Sequence, residues 1–140
     1  MSAIDAGVID HIAIAVRDLD AACALYQQLL GAELSHREEV PGQGIEVAFL
    51  RLPGETRLEL VTPLDDHGPL ARFLDKRGEG MHHICVRVDD IVATLSRLGE
   101  EEVPLVDTRP RRGAEGTRIA FLHPKALGGV LLELKEEPRG

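Results

Sequence analysis

Two histidines and two glutamates hold matched places in this 140-residue chain. His11 and His83 each open an apolar run, and Glu59 and Glu133 each stand between two leucines. Neutral imidazole and carboxylate are donors suited to a divalent first-row metal such as Co, Ni, Mn, Zn or Fe. The two cysteines, Cys23 and Cys85, form no CxxC pair. They read as small buried thiols, and neither is placed to join the donors. Taken singly, each donor has an ordinary explanation. A glutamate between leucines usually faces solvent from an antiparallel strand, and a strand histidine is usually structural. The case for a metal site rests on their recurrence.

That recurrence is part of an internal repeat. At an offset of 72 residues, His11 meets His83, Ile12 meets Ile84, Val16 meets Val88, Asp18 meets Asp90 and Ala21 meets Ala93. Ala48-Phe49-Leu50 meets Ala120-Phe121-Leu122 at the same offset. Leu58-Glu59-Leu60 then meets Leu132-Glu133-Leu134, with two extra residues in the second copy. An outward polar residue has no reason to keep its identity across two copies.

The elements that must position these residues follow from periodicity. Each copy opens with an alternating strand, near 8–16 and 82–88. His11, Ala13 and Ala15 share one face of the first, and His83, Cys85 and Arg87 one face of the second. The histidine face carries mainly small residues, as a hollow requires, while the aliphatic face packs under a helix. The first helix is expected from about Leu19 to Leu30, capped by Asp18 and stopped by Gly31. The second is shorter, with Ile91, Leu95 and Leu98 on one stripe and Gly99 at its end. Three strands complete each copy, near 33–39, 45–51 and 56–62, then near 103–107, 117–122 and 129–135.

The fold class expected is α+β. Two tandem βαβββ modules form a half-barrel, cup-shaped mixed sheet around the metal site, with helices packed outside. Module one spans about 8–62 and module two about 81–135, joined by a linker helix at about 67–77, all in one domain covering 1–140.

Composition narrows the function. The formal net charge of -8 argues against a general nucleic-acid binder. One Tyr, three Phe and no Trp offer poor material for a base-stacking platform. No apolar run reaches the length of a membrane span, and the N-terminus lacks the pattern of a secretory signal. A cytoplasmic protein is the expectation.

The chain resembles methylmalonyl-CoA epimerases, within the glyoxalase/vicinal-oxygen-chelate group, across nearly its whole length. The resemblance rests on DHIAIAV (10–16), EVPGQGIEVAFL (39–50), LELVTPL (58–64), GEGMHHICVRVDDI (78–91) and AFLHPKALGGVLLEL (120–134). The paired histidines before Ile84 and the HPK…GGVLLEL ending are the most specific. The resemblance implies four metal ligands: His11, Glu59, His83 rather than His82, and Glu133. Some members carry Gln where this chain has Glu59.

The implied reaction interconverts the 2R and 2S forms of methylmalonyl-CoA. The α-hydrogen flanked by thioester and carboxylate is removed through an enolate, with one divalent ion per chain acting as Lewis acid. Glu46 is the first candidate for the base, and Glu133 could lend its second oxygen to proton transfer. Arg118, at the place equivalent to Glu46, or Lys125 would meet anionic groups of the substrate. Arg109, Arg111 and Arg112 could meet coenzyme A phosphates. The partners expected are an acyl-CoA substrate and a second copy in a homodimer, with neither nucleic acid nor membrane.

Two rival functions share the fold. A glyoxalase I-like lyase or isomerase typically ends in a DPDG-type turn, where this chain has His123-Pro124-Lys125. A metal-free small-molecule-binding protein would not need the four donors together, and an aromatic-lined pocket would favour it. Ring-cleaving dioxygenases use two His and one carboxylate, so a fourth ligand at Glu59 speaks against them.

Overall fold

The computed structural model describes residues 2–136. Met1 and 137–140, the ends of the expected 1–140 domain, lie outside the described residues. The chain divides into two compact units, one running His11–His82 and the other joining the stretch up to Asp10 with that from His83 onward.

The first unit takes its elements in the order β1 (Ile9–Ala15), α1 (Leu19–Leu30), β2 (Glu33–Val40), β3 (Ile45–Arg51), β4 (Arg57–Pro63) and α2 (Pro69–Arg77). Its strands lie in the order β2-β3-β4-β1. β1 runs parallel to β4, and β3 antiparallel to it, so that Ala13 and Phe49 both stand opposite Glu59. Asp18 caps α1 by accepting from the Ala21 N–H at 3.0 Å, and Gly31 ends it in the left-handed conformation (φ 65°). Leu19 and Cys23 of α1 pack on Ala48, Leu50 and Leu60, burying the aliphatic face of the sheet. The opposite face keeps Ala13, Phe49 and Glu59.

The second unit repeats the design as β5 (Gly80–Val88), α3 (Ile91–Glu100), β6 (Arg111–Arg112), β7 (Arg118–Leu122) and β8 (Leu132–Glu136). Its strand order is β5-β8-β7-β6. Cys85 and Phe121 stand opposite Glu133, the repeat equivalents of Ala13 and Phe49 opposite Glu59. Asp90 caps α3 through the Ala93 N–H at 3.0 Å. Ile91, Leu95 and Leu98 bury against Ala120, Leu122, Leu132 and Leu134. The βαβββ order therefore occurs twice, as the repeat requires.

One expectation needs correction. The strand near 103–107 does not form. Pro104 offers no N–H to a ladder, and this stretch makes only an isolated bridge from Leu105 to Leu122, with Val106 and Asp107 both donating to the Phe121 carbonyl. The short strand at that edge is Arg111–Arg112 instead. The opening of the chain also groups with the second unit. The Gly7 N–H donates to the Arg87 carbonyl at 2.8 Å, and the Arg87 N–H to that of Val8 at 3.1 Å. Ala3 and Ile4 pack on the second core.

Candidate metal centre

Each unit presents one buried imidazole–carboxylate pair on the sheet face that carries no helix. In the first, His11 and Glu59 are 4% and 5% exposed, with Nε2 and Oε1 3.5 Å apart. In the second, His83 and Glu133 are 7% and 6% exposed, and the same atoms approach to 3.0 Å. The register explains both pairs. Histidine and glutamate come from strands lying side by side in parallel, His11 two residues before Ala13 and His83 two before Cys85.

A phenyl ring completes each pair. Phe49 meets the His11 ring edge-on at 5.3 Å, and Phe121 meets His83 edge-on at 5.3 Å. These contacts hold the imidazoles by their sides and leave the ring nitrogens for polar partners. Arg57 lies 4.2 Å above the Phe49 ring.

The donor spacing tests the fit to a metal. Donors held about 2.1 Å from a divalent ion lie about 3.0 Å apart at octahedral angles and about 3.4 Å apart at tetrahedral ones, by simple trigonometry. The separations of 3.0 Å and 3.5 Å fall at those values, so each pair suits two adjacent ligands of one ion. Cys85 lies fully buried opposite Glu133. Burial, reinforced by the Glu133 and Asp10 carboxylates, pushes its thiol far above the ordinary range.

The other residues named from sequence lie elsewhere. Glu46 alternates with Phe49 and Val47 on β3 and so turns to the face that packs on α1 with Ala48 and Leu50. Its carboxylate accepts from Arg37 Nε at 3.0 Å, and Arg37 also pairs with Asp20 of α1. Glu46 thus lies on the sheet face opposite that of Glu59. Arg118 repeats this placement in the second unit. Its guanidinium grips Glu136 at 3.0 Å and 2.8 Å on the α3 side, away from His83 and Glu133. Lys125 sits exposed in the turn after β7, its backbone N–H donating to His123 Nδ1. Arg109 and Arg112 are exposed, while Arg111 pairs with Asp107 at 3.3 Å and lies 5.8 Å from the Phe121 ring centre.

Sequence reasoning missed a buried charge cluster. Asp10 has a side chain with no solvent exposure. It accepts from Arg87 Nε at 2.7 Å and faces Lys135 Nζ at 3.2 Å and 3.3 Å. Lys135 Nζ also reaches Glu115 at 3.4 Å. Alternation was the available signal, because Arg87 shares the His83 face and Lys135 follows Glu133 by two residues. The pairing of Lys135 with Asp10, 125 residues away, had no local trace.

The duplicated βαβββ order and a helix-free face bearing His and Glu define a class. The chain belongs to the Glyoxalase/Bleomycin resistance protein/Dioxygenase superfamily, whose model matches residues 10–121. Its relatives are more particular. The mitochondrial methylmalonyl-CoA epimerase of Homo sapiens is 43% identical over 131 residues, spanning 93% of this chain and 74% of that protein. The ethylmalonyl-CoA/methylmalonyl-CoA epimerase of Cereibacter sphaeroides is 43% identical over 132 residues, spanning 93% and 98%. The crystal structure of methylmalonyl-CoA epimerase from Mycobacterium tuberculosis matches with a TM-score of 0.92 at 42% identity, covering 99% of this chain and 93% of that one. The expected fold class is that of this epimerase structure.

Proposed function

We propose that the chain is a methylmalonyl-CoA epimerase, and that His11, Glu59, His83 and Glu133 together hold one divalent ion. One observation carries the reading: the same imidazole–carboxylate–phenyl group occurs in both units at repeat-equivalent positions. A structural polar pair would have no cause to be kept twice on a buried face. The names of the relatives support the substrate.

A divalent ion would supply Lewis acidity to the thioester of the substrate, making the α-hydrogen removable. The residues do the rest. The imidazoles would ligate as neutral rings, each held edge-on by phenylalanine. Glu133 faces His83 through one carboxylate oxygen, and its carboxylate would carry the proton. Burial of both pairs keeps water from competing and strengthens every electrostatic contact. Of the two carboxylates named from sequence, Glu133 lies beside an imidazole and Glu46 on the helix side, so Glu133 is the proton carrier proposed.

Two further parts of the reading are a homodimer and a cytoplasmic setting. The first is supported by the resemblance. The second is consistent with two free buried thiols, and no helix among the described residues is long and apolar enough to cross a membrane.

The test is exchange of the α-proton of methylmalonyl-CoA with solvent deuterium, followed by mass spectrometry on metal-loaded protein. Incorporation is expected with metal and not after chelation. Its absence from loaded, folded protein would remove the epimerase reading.

A further inference from the structure

The two units share the His–Glu–Phe group on the helix-free face, but at two positions the second carries a charge where the first is apolar. Where the second unit has Arg87 and Lys135, the first has Ala15 and Val61, which are 0% and 1% exposed. A fully apolar solution therefore exists in the same fold at the same places. A buried ion cluster rarely improves on such packing for stability alone. The charged pair on the second face needs another reason.

A second departure adjoins it. Glu115 is left-handed (φ 63°), a conformation that a residue with a Cβ adopts at a cost. Its repeat equivalent, Gln43, is not left-handed. The strained turn carries the Glu115 carboxylate to Lys135 Nζ, yet the contact is loose at 3.4 Å. The shorter contacts of Lys135 go to buried Asp10, which Arg87 already holds at 2.7 Å. Glu115 is the weaker and more exposed of the two partners of the lysine, its side chain 32% exposed against none for Asp10.

We infer that Lys135 recognises the free carboxylate of an α-carboxylated acyl thioester, and that Glu115 is an internal stand-in for that carboxylate until substrate arrives. The inference rests on the epimerase reading for the identity of the ligand. Two glutamate ligands already neutralise a divalent ion, so a nearby cation would add to its hold on the carboxylate of the substrate. Lys135 lies two residues beyond Glu133 on the same strand face, about 6.6 Å along the backbone, on a flexible stem that can swing its ammonium. Arg118 and Lys125, the cations expected from sequence, lie on the helix side and in an exposed turn. Exchanging Glu115 for the substrate trades one ion pair for another and releases the strained turn.

The experiment compares binding of methylmalonyl-CoA and propionyl-CoA, which lacks the carboxylate, by calorimetry on metal-loaded wild type, Lys135→Met and Glu115→Gln. Wild type is expected to prefer methylmalonyl-CoA. Lys135→Met is expected to shrink that preference by at least about tenfold. Glu115→Gln is expected to enlarge it by about two- to fivefold, by removing the competing carboxylate. An unchanged preference in folded Lys135→Met overturns the inference. So does a preference unchanged or reduced in Glu115→Gln, which decides the matter if Lys135→Met does not fold. Deuterium exchange by wild type is scored separately. Exchange with an unaltered preference sinks only the role of Lys135, whereas no exchange sinks the epimerase reading and leaves the binding ratio to judge the lysine.

Discussion

His82 and His83 are neighbours on β5 whose side chains leave opposite faces of the strand. The His82 ring meets Phe73 of α2 edge-on at 4.8 Å, whereas His83 lies 3.0 Å from Glu133. Replacing each by alanine should therefore have different consequences. His83→Ala is expected to lose bound metal and α-proton exchange while keeping its fold. His82→Ala should keep both and lose about 1 kcal/mol of stability from the ring contact. Metal analysis and urea unfolding on the two variants separate these outcomes, and equal loss of metal from both would mean the wrong histidine carries the ligand role. Glu46→Gln is a companion case. A general base contributes roughly 10²- to 10⁴-fold, so a loss below about tenfold in kcat/KM is expected for a carboxylate bound to Arg37 on the helix side. The two His–Glu pairs were legible because they recur in the repeat. The setting of Glu46 was less legible, because its pairing with Arg37 and the packing of Ala48 and Leu50 on α1 are tertiary contacts with no local trace.

At the scale of elements, caps and stripes account for the helices, and the repeat lets one helix test the other. Asp18 and Asp90 make the same 3.0 Å bond to the N–H three residues on. Asp90→Ala should cost about 1 kcal/mol, read as a lower urea midpoint with an unchanged slope. Its distance from the His83–Glu133 pair on the opposite sheet face should leave metal affinity unaltered; a loss of metal together with the cap would show that α3 helps set that pair. The helices were readable from sequence because capping and apolar spacing are local. The strand expected at 103–107 was not, because its apolar Val103, Leu105 and Val106 imitate a strand while Pro104 interrupts the ladder. Whether such a stretch pairs is decided by its neighbours, here a β7 whose Phe121 N–H is taken by the Asp107 carboxylate at 2.9 Å.

For the whole molecule, the decisive quantity is how many ions the chain binds. Each unit owns a two-donor group, and two donors alone hold a divalent ion weakly in competition with water. If the units act separately, the chain should take up two weakly held ions, and either pair could be removed without disturbing the other. If they act as one centre, it should take up one ion, and losing a histidine from either unit should abolish uptake of that ion. One ion per chain is the expected result by metal analysis after dialysis. Thermal unfolding gives an independent reading. An ion that binds the folded chain alone adds about 2.7 kcal/mol when its free concentration is a hundred times its dissociation constant. The melting temperature of the wild type should rise accordingly with added metal, whereas those of His11→Ala and His83→Ala should not. A rise that persists in either variant, or a stoichiometry of two, would divide the centre into independent halves and with it the chelation that a single shared ion offers an acyl-CoA.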